Sequence, residues 1–191
     1  MSARCRELAR RFLVLVLAAG GVAGLAAPAF ADDKDKEPPK PPKSVEVQTF
    51  VILASKGETE HIDPSLKELA ELLKQRFKDQ LNRFRLHKSL QGDVKLDPGK
   101  GEKTASFALI EDFYLKVAYH GIKKEPDGPE MIRLSLALVR VVEETKDDKT
   151  TKKEVRIIGP LGVNVVRERF ILLGGPKVGN ETLILAIRVL K

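Results

Sequence analysis

The side chains best suited to metal binding or proton transfer are sparse and scattered along this chain. Its three histidines, His61, His87 and His120, lie 26 and 33 residues apart, and none has a carboxylate or a second histidine at a ligand-like spacing on a shared helix or strand. The single cysteine, Cys5, lies near the amino terminus, ahead of a long apolar run. The sequence therefore predicts no metal site, no thiolate chemistry and no cofactor.

The carboxylates and hydroxyls also form no recognisable catalytic motif. Adjacent acids, such as Glu111-Asp112 and Glu143-Glu144, fall at predicted strand ends and turns, where exposed charge is the ordinary expectation. The chain has no Gly-x-Ser-x-Gly elbow. The segment from Gly99 to Thr104 lacks the earlier glycine and the following helix that a phosphate-binding loop needs. We therefore expect a protein that is not an enzyme.

One predicted strand carries positive charge at alternate positions. Arg83, Arg85 and His87 are two residues apart, so a strand points their side chains the same way, with Lys88 beside them. This row is a candidate anion-binding surface for a headgroup, a polysaccharide or a partner protein. The alternative is a solvated outer face of a sheet, which the sequence favours because exposed charge is the ordinary state of such residues.

The composition argues against a nucleic-acid partner. Of the seven net positive charges, three belong to residues 1–31, which contain four arginines and one glutamate. Nucleic-acid binding would need positive charge clustered on one face, and an aromatic content of 5% leaves few side chains to stack on bases. We expect an envelope protein or a polysaccharide as the partner, and the sequence leaves the oligomeric state open.

A single amphipathic helix is predicted among strands. Asp63 is suited to the N-cap and Pro64 to the first helical position, and apolar residues then recur at three- and four-residue steps up to about Asn82. The largest of these, Phe77, is predicted to be the principal anchor of the helix. The shared apolar face consists of Leu66, Leu69, Ala70, Leu73, Phe77 and Leu81.

The other apolar segments are typical of β structure. Val45–Ala54 ends in a continuous β-branched and aromatic run, and Thr182–Leu190 has apolar residues on both faces, so both are predicted to be central strands. Turn residues at 159–162 and 174–176 predict reversals or breaks. The remaining predicted strands are 84–96, 104–110, 113–120, 131–144 and 154–158 joined to 164–173.

Short connections without a second helix require the later strands to pair antiparallel, because a parallel crossover needs a long connection. The sequence therefore predicts an α+β domain with the order β-α-β-β-β-β-β-β. In it, one amphipathic helix packs on a mainly antiparallel twisted sheet or half-open sandwich.

The amino terminus has the features of a cleavable export signal. Four arginines precede a 16-residue apolar run, Phe12–Ala27, which is shorter than the about 20 residues that a membrane-spanning helix needs. Small residues at Ala29 and Ala31 fit a signal peptidase, so cleavage is predicted after Ala31; an uncleaved anchor is the alternative. We therefore expect residues 1–31 to be a signal peptide and the mature protein to be periplasmic or extracellular, contacting a membrane only during export.

The rest of the chain divides into a linker and one domain. Residues 32–43 contain no apolar side chain other than proline and predict a disordered, charged linker, whereas residues 44–191 have the length of a single domain. The sequence predicts a non-catalytic exported envelope or extracellular domain with a binding or structural role. An accessory component of an envelope assembly or secretion system, acting by β-augmentation, is the alternative, and a secreted enzyme of unknown class is the third.

Overall fold

A computed structural model describes residues 42–97, 103–124, 128–146 and 149–190. The predicted signal peptide and nearly all of the predicted linker lie outside these residues. Within them the chain is mostly β structure with a single helical segment packed on antiparallel sheets, so the predicted α+β class is confirmed. In the described ranges, no helix is long and apolar enough to cross a membrane.

The described residues form nine strands and two short helices. The strands are β1 (Ser44–Ser55), β2 (His61–Ile62), β3 (Arg83–Lys95), β4 (Ala105–Ala108), β5 (Phe113–Lys123), β6 (Met131–Lys146), β7 (Lys149–Val166), β8 (Ile171–Val178) and β9 (Glu181–Val189). A 3₁₀ helix (Pro64–Leu69) leads directly into α1 (Ala70–Phe77). The strands form a five-stranded sheet of order β2-β3-β1-β9-β8 and a four-stranded sheet of order β4-β5-β6-β7.

The five-stranded sheet lies between two apolar layers. On one face, β1 and β9 pack against the inner face of the four-stranded sheet, where Leu115 and Leu134 are fully buried. On the other face, Ile52 and Ile184 of the sheet pack against Leu73 of the helical segment. The prediction that the first and last strands of the domain are central and covered on both faces is confirmed, because both occupy inner positions in the sheet order.

The helical segment begins where the sequence predicts and ends earlier. The Asp63 Oδ1 atom accepts a hydrogen bond of 2.9 Å from the Ser65 backbone N–H, as expected of an N-cap. That hydrogen bond is the main reason why the pKa of Asp63 lies below its ordinary value. The α-helix ends at Phe77 rather than near Asn82. The Asn82 side chain instead exchanges two hydrogen bonds of 2.8 Å with the Gly57 backbone, which join the start of β3 to the loop after β1.

The identity of the helix anchor differs from the prediction. Phe77 lies in the last turn, is only half buried and contacts Phe84 with its ring centroid 6.3 Å away. The residues of the helical segment that are fully buried against the sheet are Leu66, Leu69 and Leu73. The prediction of Phe77 as principal anchor is therefore wrong. Phe77 has the largest side chain on this face, but it lies at the end of the helix, where its ring is only partly buried.

The prediction for the segments around β7 and β8 is also wrong. The chain continues as a strand through 159–162, where a register shift against β6 marks a bulge at 159–160 instead of a reversal. A second register shift marks a bulge at Ile157. The residues at 174–176 likewise lie inside β8, and the chain reverses after Val178 instead. A break at 167–170 separates β7 from β8, so the predicted continuous strand 164–173 is in fact the end of one strand and the start of the next.

Candidate functional site

The row of positive residues predicted on one strand is brought together only in part. In the register of β3 with β1, Arg83 is opposite Ser55, Arg85 opposite Leu53 and Lys88 opposite Val51, so these three side chains share one face of the sheet. His87 is the extra residue of a bulge and has no opposite residue on β1. The predicted uniform alternation is therefore interrupted at His87.

The charge of this row is also partly compensated. The Arg85 Nη2 atom lies 2.9 Å from Glu181 Oε2 on the surface, whereas Arg83 and Lys88 have no ion pair within the described residues. Such exposed ion pairs contribute little to the free energy of folding. Neither binding of an anion nor the solvated-face interpretation is tested by these contacts, and the anion-binding role of Arg83, Arg85, His87 and Lys88 stays a prediction.

One histidine and one serine meet at hydrogen-bonding distance. The His120 Nε2 atom is 2.8 Å from the Ser135 Oγ atom across β5 and β6, which is the separation that a base and its nucleophile require. Within the described residues, no carboxylate hydrogen-bonds the other ring nitrogen to orient it. In the same ranges no group of three histidine, cysteine or acidic residues could hold a metal ion. The pair alone does not define a reaction.

Two buried hydroxyls belong to the core instead of a site. The Thr49 and Tyr119 side chains are fully buried, and neither hydroxyl has a hydrogen-bond partner among the described residues. Burial raises the pKa of the Tyr119 phenol, and the nearby positive charge of Arg167 opposes this effect. Because Tyr119 belongs to the apolar cluster between the two sheets, its shifted pKa reflects packing and indicates no catalytic role.

The outer edge of the four-stranded sheet is the longest free edge in the described part of the protein. β7 is 18 residues long and pairs on one side with β6, and no other described strand pairs with its second side. The other terminal strands are much shorter, since β2 has 2 residues, β4 has 4 and β8 has 8. β7 therefore presents the longest free strand edge in the described ranges, interrupted by the bulges at Ile157 and at 159–160, where Pro160 has no N–H to donate.

Exposed apolar side chains lie along this free edge. Val155 is 39% exposed, Ile157 is 39% exposed and Leu161 is 40% exposed, which makes them three of the most exposed large apolar residues in the described ranges. Val155 is opposite Arg140 and Leu161 is opposite Leu136 in the register with β6. Both therefore lie on the same face of the sheet as the core side chains of β6, although both are exposed.

Among the charged side chains at 152–156 of β7, one has no ion pair within the described residues. Lys152 Nζ lies 3.5 Å from Glu143 Oε1, and Lys153 Nζ lies 3.8 Å from Glu144 Oε1. Arg156, between Val155 and Ile157, has no ion pair within the described residues. We name the exposed segment around Val155, Arg156, Ile157 and Leu161 the β7 edge. It combines unpaired backbone, apolar side chains and one uncompensated positive charge.

Sequence reasoning missed the β7 edge for a definite reason. The predicted break at 159–162 divides this region into two short strands, so the sequence does not indicate one long edge strand. The alternation of Val155 and Ile157 was visible in the sequence, but exposure of an edge depends on strand order. Comparisons of the chain with protein-family models, with curated proteins and with solved structures found no match. Function is therefore inferred from the geometry of this surface.

Proposed function

We propose that the mature protein is an exported, non-catalytic domain that binds a partner protein by adding an extended segment of that partner to the β7 edge. The observation that carries the proposal is the 18-residue length of β7 together with its free second side in the described part of the chain. In strand addition, main-chain hydrogen bonds supply affinity, and alternate side chains of the added segment supply specificity.

The side chains of the β7 edge define the chemistry of the partner segment. Exposed Val155, Ile157 and Leu161 favour apolar residues in the added strand, because cross-strand apolar pairs stabilise a sheet. Arg156 favours an acidic residue nearby, since its charge has no counterion among the described residues. The proposed partner segment is thus extended, carries apolar side chains, and is acidic at one position.

Export of the mature form is the first part of this proposal to test. The short apolar run, the preceding arginines and the small residues before Asp32 support cleavage after Ala31. Intact-mass analysis of the protein recovered from the envelope or the medium is expected to show a chain that begins at Asp32. Recovery of the full-length chain, retained in the membrane, would contradict it.

Binding at the β7 edge is tested by photo-crosslinking in cells that produce the full chain. A photoreactive phenylalanine analogue at Ile157 is expected to give one discrete adduct with a partner protein, whereas the same analogue at Leu72 gives none. Leu72 is a matched control because it is also apolar and is 36% exposed, on α1 instead of β7. Mass spectrometry of the adduct then identifies the partner and the crosslinked segment.

Charge reversal provides the second arm of this experiment. Arg156→Glu is expected to reduce the Ile157 adduct by about tenfold, because it places two negative charges together at the interface. Arg169→Glu, which changes an exposed arginine between β7 and β8, is the control and leaves the adduct unchanged. Equal adducts from Ile157 and Leu72, or none from Ile157, contradict the proposal. If the adduct contains two copies of this chain, the partner at the β7 edge is a second copy and the protein forms a homodimer.

A further inference from the structure

A second surface, separate from the β7 edge, combines an apolar floor with fixed charge. A cleft of about 280 Å³ opens beside the 3₁₀ helix, on the helix-covered face of the five-stranded sheet. Its volume is near the lower end of the roughly 300–1,000 Å³ of small-molecule sites, enough for one ring and its substituents. The floor and rim include Phe50, Leu66, Phe170, Lys67, Glu68 and Arg188.

Arg188 is held rigidly at this cleft. Its Nε atom donates a hydrogen bond of 2.7 Å to Gln48 Oε1 on the neighbouring strand, and its Nη1 atom donates one of 3.0 Å to Glu68 Oε2. The centre of its guanidinium group lies 4.7 Å from the centroid of the Phe170 ring. Phe170 in turn contacts Phe50 edge to face, with 5.7 Å between ring centroids. A cation and two aromatic rings are therefore fixed beside one another.

The hydrogen bonds of Arg188 leave capacity for an anion. A guanidinium has five N–H donors, and two of those of Arg188 are used within the described residues, which leaves three. The Arg188 side chain is only 20% exposed, whereas that of its ionic partner Glu68 is 68% exposed. Glu68 is thus the solvent-exposed member of the pair, and its carboxylate occupies a position that another carboxylate can take.

We infer that this cleft binds a small carboxylate that carries an aromatic ring. The ligand carboxylate displaces Glu68 and pairs with Arg188, while the ring packs against Phe50 and Phe170. Arginine suits this task because its planar fork of donors matches the two oxygens of a carboxylate. Lys67 on the rim adds positive charge, so the cleft complements an anion once Glu68 moves aside. The inference does not depend on binding at the β7 edge.

The test uses two probes that differ only in charge. N-acetylphenylalanine has the ring and the carboxylate, whereas N-acetylphenylalaninamide has the ring and a neutral amide. In an NMR titration of the purified protein, the acid is expected to shift the backbone amides of Lys67, Glu68 and Arg188 with a Kd on the order of 1 mM. The amide is expected to bind at least about tenfold more weakly, because it makes no charged hydrogen bond with the guanidinium.

Substitution of Glu68, the residue that the ligand displaces, is expected to change the Kd of the acid in a defined direction. Glu68→Gln is expected to tighten binding of the acid about two- to fivefold, because it removes a competing exposed ion pair. Glu71→Gln, which changes another exposed glutamate in the next turn, is the control and leaves the Kd unchanged. Arg188→Gln is expected to abolish binding, with the spectrum reporting whether the variant is folded.

Three results would contradict the proposed carboxylate site. Equal binding of the acid and the amide, or no binding of the acid, overturns the inference. An unchanged or weakened Kd in Glu68→Gln also overturns it, even where Arg188→Gln does not fold. In that case the Glu68–Arg188 pair serves only to attach the 3₁₀ helix to the sheet.

Discussion

Leu73→Ala is expected to lower the free energy of unfolding by about 2–5 kcal/mol, which is the usual cost of truncating a fully buried leucine. Leu73 is 0% exposed and packs with Ile52 and Ile184 in the cluster between α1 and the five-stranded sheet. Its removal exposes apolar surface of the sheet and leaves a cavity. This is a large part of the roughly 5–15 kcal/mol that stabilises a typical domain.

The neighbouring residue provides a matched control. Leu72 is 36% exposed, so Leu72→Ala is expected to change the free energy of unfolding by no more than about 0.5 kcal/mol. Urea unfolding of both variants, followed by circular dichroism, measures the difference. Equal midpoints would show that α1 buries a different face. An outward-facing apolar stripe would then compete with the β7 edge as the surface for a partner.

The helix and the two central strands could be predicted because their signals are local. The cap at Asp63 and the three- and four-residue spacing of Leu66, Leu69 and Leu73 fix where helical structure begins and which face is buried. A strand covered on both faces must be apolar at nearly every position, and Leu183–Val189 meets that condition. These signals do not depend on which strands are neighbours in the final sheet.

The bulges could not be predicted because they depend on the partner strand. His87 interrupts the alternation of β3 only relative to β1, and nothing in the sequence of β3 itself indicates this. A glycine and a proline at 159–160 are typical of a turn, but here they lie in a bulged strand. The sequence of β3 alone therefore does not indicate the bulge at His87, and the sequence of β7 alone does not indicate one long edge strand.

The cleft at Arg188 depends on residues distant in the sequence. Gln48, Glu68 and Arg188 lie on β1, the 3₁₀ helix and β9, and the separations within this group reach 140 residues. The register of β1 with β9 places Gln48 directly opposite Arg188, and the helical segment then brings Glu68 to the same point. Periodicity shows only that Arg188 faces the helix side of its strand. Sequence alone cannot supply its partners.

Gly159→Ala is expected to lower the free energy of unfolding by about 2–4 kcal/mol, through strain and a steric clash together. The backbone of Gly159 has a φ of +87°, a conformation that residues with a side chain rarely adopt. A Cβ atom there would lie 2.4 Å from the carbonyl oxygen of Leu136 and 2.9 Å from the backbone nitrogen of Leu161. Both are backbone atoms within the paired strands, so neither can move aside cheaply.

Gly162→Ala, three residues further along β7, is the control for this prediction. A Cβ atom at Gly162 would meet nothing within 4 Å, so the variant is expected to stay within about 0.5 kcal/mol of the original protein. Thermal and urea unfolding of the two variants under the same conditions provide the comparison. The difference between the two variants reports the effect of the local backbone conformation on stability, because both are glycine-to-alanine changes in the same edge strand.

The comparison also decides between two descriptions of β7. If residues 159–162 formed the open turn that the sequence predicts, alanine would be tolerated about equally at Gly159 and Gly162. In the bulged strand, Gly159 alone is confined against Leu136, so the two variants differ. Because this bulge lies between Ile157 and Leu161, Gly159→Ala is also expected to reduce the photo-crosslink from Ile157, while Gly162→Ala preserves it. Loss of stability with an unchanged crosslink would separate the fold of β7 from the proposed binding at its edge.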